Sequence, residues 1–148
     1  VRLWDCRDAK AVRIFDNFKG PVNSLAFSPN GEFIASAGSD GCIHIWSISK
    51  GTKFDTIKWE EPSDSIDRNV WSLDYSIDGT ILASGSGDGR LRLWDAALVQ
   101  KQTTRKGEHF EPHLSTYQTR NTKILKCRFT QRNVLMVSGE ISAKDGKK

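Results

Sequence analysis

The chain of 148 residues holds one methionine, four prolines and three cysteines, and no apolar run approaches the 18 residues of a membrane-spanning helix. Cys6, Cys42 and Cys127 are odd in number and form no CxxC pair, which suits a reducing compartment better than a disulfide framework or a zinc module. No GK[ST] follows a glycine-rich turn, and no nucleophile-elbow pattern occurs, so phosphate-loop and hydrolase chemistry have no carrier. Positive charge is not massed: the net charge of +4 comes from scattered Lys and Arg, so direct nucleic-acid binding is not expected. Three histidines remain for metal or acid-base work. His109 and His113 stand four apart, but Pro112 between them breaks the helix that would align them. His44 reads as a packed or edge residue of a strand. No catalytic residue, cofactor, metal or small-molecule substrate is expected.

What the chain does have is an internal repeat. Residues 22–48 recur at 70–96 without a gap at an offset of 48, with identities that include Val22/Val70, Leu25/Leu73, Gly31/Gly79, Ala35/Ala83 and Gly41/Gly89. A period in this range means stacked units. Each copy parses into three short strands. Ser28-Pro29-Asn30-Gly31 and Ser76-Ile77-Asp78-Gly79 supply type I turns, and Asp40-Gly41 and Asp88-Gly89 read as two-residue hairpin turns. ILAS and LRLW are apolar on both sides of the pleat, so each sheet must be covered on both faces.

These motifs resemble the WD-repeat family of β-propellers, through VRLWD at 1–5, SDGCIHIWS at 39–47 and GDGRLRLWD at 87–95. The resemblance implies an all-β fold of antiparallel four-stranded blades, here about half of a seven-blade ring. It also implies a structural hydrogen-bond network through Ser36, Asp40 and Trp46, and through Ser84, Asp88 and Trp94. The His of the family's Gly-His pair is missing, since Asn17-Phe18 and Ser65-Ile66 stand there, so apolar packing is expected to carry more of the load.

In chain order, residues 1–21 read as the end of a truncated blade and its connection, 22–59 as a complete blade, 60–69 as a surface loop and 70–95 as a further blade. Residues 96–122 form a polar insertion with no period, either disordered or partner-binding. Residues 123–141 are strands of a closing blade, with Ser138 aligned to Ser36, and 142–148 a solvated tail. The missing initiator Met fits truncation at the N-terminal side, and closure by strands from that side is expected.

The ending YQTRNTKILKCRFTQRNVLMVSG, with Tyr117, Thr119, Arg120, Phe129, Thr130, Asn133 and Gly139, looks like the C-terminus of the TFIID subunit 5 family, WD-repeat TBP-associated factors shared in several lineages with SAGA. That resemblance implies a non-enzymatic nuclear scaffold in RNA polymerase II transcription initiation, docked onto histone-fold TBP-associated subunits. A peptide-reading adaptor, such as a ubiquitin-ligase substrate receptor, is the alternative. Trp71, whose counterpart is Asn23, marks either a partner-binding rim or packing under the 60–69 loop.

Overall fold

The computed structural model describes residues 1–16, 18–58, 67–100, 112–120 and 122–141. The expectations placed on Asn17, Ser65, Ile66, His109, the greater part of the 60–69 loop and the 142–148 tail lie outside these residues.

Two four-stranded antiparallel sheets form the middle of the molecule. The first runs β3 (Val22–Phe27), β4 (Phe33–Gly38), β5 (Ile43–Ser47), β6 (Thr52–Ile57). The second runs β7 (Val70–Tyr75), β8 (Ile81–Ser86), β9 (Arg90–Asp95), β10 (His113–Gln118). They are flanked by two hairpins, β1 (Arg2–Asp5) with β2 (Lys10–Ile14), and β11 (Thr122–Phe129) with β12 (Leu135–Ile141). The first strands of successive units lie side by side, β3 against β7 and β7 against β11.

Turn chemistry sets the meander. Gly31 and Gly79 take φ of 71° and 72°, and their N–H groups donate to the carbonyls of Ser28 and Ser76 at 2.9 Å. In the Asp-Gly turns only the glycine is left-handed, with φ 69° at Gly41 and 76° at Gly89. A two-residue hairpin of the expected kind needs positive φ at both positions. Here the Asp side chain instead accepts the N–H two residues on, Cys42 at 3.1 Å and Arg90 at 3.0 Å, and the connection runs to four residues, 39–42, in the first blade and three, 87–89, in the second.

The doubly apolar strands are covered as their composition requires. Ala35, Ala37, Ile43 and Ile45 of the first sheet meet Val70, Leu73, Leu82 and Trp94 of the second. Ala83 and Leu91 meet Ile124 and Cys127 of the last hairpin, and Trp46 and Ile34 meet Phe15 and Leu3 at the other end. Polar bolts accompany this packing at equivalent positions. Leu73 N–H donates to Ser24 Oγ at 2.9 Å, and Cys127 N–H donates to Ser72 Oγ at 3.0 Å. Ser72 Oγ also donates to the Cys127 carbonyl at 3.2 Å. Ser72→Ala therefore leaves a buried amide and carbonyl without their hydroxyl and is expected to cost about 1–3 kcal/mol, measured by urea unfolding. A change within error would mean that the two sheets do not meet as described.

Two expectations need correction. The stretch 96–122 is not simply an insertion: Asp95 Oδ1 accepts Leu98 N–H at 2.8 Å and caps a short helix α1 (Ala96–Gln100), and β10 is the outer strand of the blade opened at Val70. That blade therefore reaches Gln118, and removal of residues 98–117 would strip it of its fourth strand. The other concerns the last hairpin. Leu25 pairs with Ser36, whereas the equivalent Cys127 pairs with Val137, and Val22 and Ile124 pair with Gly38 and Gly139. The turn is one residue shorter there, closing through Thr130 N–H to the Val134 carbonyl with Asn133 at φ 55°. Val137, not Ser138, thus occupies the place of Ser36.

Candidate functional site

Ser36 and Trp46 stand on neighbouring strands two residues out of register, which brings the hydroxyl under the indole: Trp46 Nε1–H donates to Ser36 Oγ at 2.7 Å. Trp94 Nε1–H reaches Ser84 Oγ in the same way at 2.9 Å. All four residues are buried. The structure does not extend these pairs to the turn carboxylates through a histidine on the preceding connection. Phe18 lies near that position and packs edge-on to His44 and tilted against Trp46.

The turn carboxylates find their partners four residues along their own strand. His44 Nε2 lies 2.7 Å from Asp40 Oδ2, and its Nδ1 lies 3.2 Å from Thr56 Oγ1. In the second blade the equivalent residue is Arg92, whose Nη2 donates to Asp88 Oδ2 at 2.8 Å and whose Nη1 donates to Ser86 Oγ at 3.1 Å. Ser86 Oγ also donates to Asp88. Both members of the Arg92–Asp88 pair are almost wholly buried. Burial by itself raises the Asp88 pKa, but hydrogen bonds from Arg92 and Ser86, the Arg92 charge and the Arg90 amide outweigh it, and the group sits below its ordinary 3.8. His44 and Arg92 were overlooked as network members. Their signal was positional, four residues after each turn Asp, where strand pleating returns a side chain to the same face.

The other candidate residues lie on one rim. Asn23, Trp71 and Leu125 are equivalent, each being the residue at the register shift near the start of a first strand. All three are solvent-exposed, Trp71 at 36%. Asn23 Nδ2 donates to the Val70 carbonyl at 3.1 Å, which holds it beside the backbone leading into Trp71. Leu125 was missed because its copy was recognised only through Ile124, Phe129 and a misregistered Ser138. The Asp-Gly turns border the same rim, and Thr119 clamps the β10–β11 connection onto it through the Gly89 carbonyl, to which its N–H donates at 2.8 Å and its Oγ1–H at 2.7 Å.

Among the described residues no group of three or more His, Cys, Asp or Glu is placed to hold a metal ion, and no helix is long and apolar enough to cross a membrane. His113 is on β10, 2.7 Å from Thr116 Oγ1 and edge-on to Trp94. The glycine cluster at 85–89 answers to packing. A β-carbon at Gly85 would overlap Ile124, and one at Gly87 would overlap Asp67.

Residues 9–47 and 61–95, half of the chain, match the WD domain, G-beta repeat family. Among curated relatives, pre-mRNA-processing factor 19 of Oryza sativa subsp. japonica is 36% identical over 45% of this chain and 13% of its own length. THO complex subunit 3 of Arabidopsis thaliana is 33% identical over 47% of this chain and 22% of its own. WD repeat-containing protein 36 of Homo sapiens is 34% identical over 37% of this chain and 6% of its own. The chain thus spans less than a quarter of these relatives. The crystal structure of RRP9 WD40 repeats superposes with TM-score 0.64 at 24% identity over 79% of this chain and 32% of that one, a likeness of fold.

None of these relatives is a TFIID subunit, which overturns the identification with TFIID subunit 5. That identification rested on residues after Asp95, beyond the family match. The structure explains why they misled. Thr119 clamps a turn, Asn133 takes the left-handed φ of a shortened one, and Gly139 passes over the Lys123 carbonyl as Gly38 passes over that of Pro21. These three residues have structural roles within the turns and strands that hold them.

Proposed function

Since the chain belongs to the WD40 repeat family, whose domains mediate protein–protein interaction, we propose that it is a non-enzymatic scaffold of a nuclear RNA-processing assembly, gripping a protein partner with the rim that carries Trp71, Asn23 and Leu125. The observation that carries this reading is the exposure of Trp71, 36% among the described residues, at the rim position it shares with Asn23 and Leu125. Large aromatic side chains at a rigid rim supply contact area at little entropic cost, which is why Trp dominates many interfaces. The RNA-processing and nuclear assignment is supported by pre-mRNA-processing factor 19 and THO complex subunit 3, named for pre-mRNA processing and for a multisubunit complex. Pre-mRNA is processed in the nucleus. The Trp–Ser pairs and the Asp40–His44 and Asp88–Arg92 pairs are assigned to the blade interior and hold the rim in shape.

The experiment compares proteins recovered with the tagged natural protein and with its Trp71→Ala and Leu114→Ala variants. Leu114 is likewise exposed but lies on the outer strand β10. Loss of an RNA-processing partner with Trp71→Ala alone is the expected result, with a loss of tenfold or more for a hot-spot tryptophan. Equal recovery from all three would remove the rim from the account.

A further inference from the structure

Asn30-Gly31 is the single Asn-Gly pair of the chain. Asparagine is a thermolabile residue, and most so before glycine, whose missing β-carbon leaves its amide nitrogen unscreened from the neighbouring carboxamide. The fold places this pair in the turn between β3 and β4 and ties down both reacting groups. Gly31 N–H donates to the Ser28 carbonyl at 2.9 Å. Asn30 Oδ1 accepts Ser28 Oγ–H at 2.6 Å and Glu32 N–H at 3.1 Å, and Asn30 Nδ2 donates to Glu32 Oε2 at 3.0 Å. Neither the glycine nitrogen nor the carboxamide is released until these bonds break.

The second copy of the turn shows what the product would meet. Asp78 stands in the place of Asn30, with Gly79 N–H on the Ser76 carbonyl at 2.9 Å, and Asp78 Oδ1 accepts Ser76 Oγ–H at 2.6 Å and Thr80 N–H at 3.1 Å. A carboxylate therefore fits the cage. Thr80 Oγ1–H also donates to Asp78 at 2.9 Å, at the position from which Glu32 accepts in the first copy. Hydrogen bonds from Ser76 and then Thr80 hold the Asp78 carboxyl below its ordinary 3.8. Each turn thus pairs one acid with one neutral donor, Glu32 with Asn30 and Asp78 with Thr80. An acid at position 30 would set two carboxylates against each other.

We propose that Asn30 is a deamidation site that the closed turn protects and that opening of the first blade exposes. In the opened turn the Gly31 nitrogen gives up its proton and attacks Asn30 Cγ. The new C–N bond closes a cyclic imide, and the side-chain nitrogen leaves with that proton as ammonia. Water then opens the imide at either carbonyl, giving aspartate or an isoaspartate whose backbone runs through the side-chain carbon. No oxidant or cofactor enters the balance. Either product adds a carboxylate where Asn30 had donated to Glu32, and isoaspartate also lengthens the backbone of the turn. The turn cannot close as before, so an opening of the blade leaves a permanent mark on the chain. Asn23 and the rim lie at the other end of β3, and the proposal is independent of Trp71.

The test follows residue 30 of the natural protein by peptide mass spectrometry after incubation in heavy-oxygen water near neutral pH, folded and in urea. Aspartate and isoaspartate carrying the heavy oxygen are expected in urea, and the folded protein should react at least about tenfold more slowly, as for an opening populated in about one chain in ten or fewer. Glu32→Ala removes the acceptor of Asn30 Nδ2 and leaves the Gly31 to Ser28 bond in place. It should speed the folded reaction severalfold and leave the rate in urea unchanged. Asn30→Asp, which installs one product directly, should raise amide hydrogen exchange across residues 28–33, and Glu32→Thr in the same chain should restore the slow exchange by recreating the pattern of the second copy. Equal rates folded and in urea, no reaction at residue 30 in urea, a folded rate indifferent to Glu32→Ala, or an Asn30→Asp chain that exchanges like the natural protein overturns the proposal.

Discussion

Trp94→Ala is expected to destabilise the protein by about 3–5 kcal/mol, the range for deleting a large buried aromatic side chain. The indole is 2% exposed, lies in the core shared by the two complete blades and donates to Ser84 Oγ at 2.9 Å. Its loss leaves a cavity between the sheets, in the cluster that holds Leu82 and Tyr75, and a buried hydroxyl short of a donor. Trp94→Phe keeps part of the volume and loses the N–H, so a smaller loss of about 1–2 kcal/mol is expected. Urea unfolding followed by circular dichroism measures both. A loss below about 1 kcal/mol for the Ala variant would mean that the second blade is not packed against the first.

Asp88→Ala is expected to cost about as much, roughly 3–5 kcal/mol, because it leaves the buried Arg92 guanidinium without its carboxylate. The pair itself is a different quantity. Taking both charges away, as in Asp88→Leu with Arg92→Met, should recover most of the loss, since a buried ion pair and an apolar replacement of similar volume are often close in stability. Full additivity of the two single losses would contradict a direct pair. The pH dependence has a definite sign. The folded carboxyl binds its proton less tightly than the unfolded one, because its pKa lies below 3.8. The unfolded chain therefore takes up a proton first on acidification, and stability contributed by Asp88 is complete above 3.8 and is lost as pH falls through the lower folded value. Between about pH 5 and about pH 3 the gap in unfolding free energy between the natural protein and Asp88→Asn should narrow.

The blades were legible because their punctuation is local. Ser28 to Gly31 and Ser76 to Gly79 are turns whose residues declare them, and the apolar strands 81–86 and 90–95 admit no partner but another sheet. Stacking with an unpaired half-blade at each end followed from those strands and the place of the Trp-Asp endings. What escaped notice depends on tertiary context. HLSTYQ has little apolar content of its own and becomes a strand because β9 offers it an open edge. The one-residue slip in β12 cannot be seen from ILKCRFTQRNVLMVSG, since Ser138 gives an attractive alignment that only the pairing of Cys127 with Val137 refutes. The partners of the turn carboxylates were not legible from the absent histidine, since His44 and Arg92 reach them from the third strand. Trp71 and Asn23 could be singled out by comparing the copies, but their common rim needed the register shifts at 22–24 and 70–72.

The most direct test of the scaffold account is a photo-cross-linking side chain placed at position 71 of the natural protein in its own cells, with the cross-linked species identified by mass spectrometry. The account predicts a covalent adduct with a protein subunit of an RNA-processing complex, absent when the same group stands at position 114. Adducts with RNA alone, or none at position 71 under conditions where position 114 reacts, would contradict it.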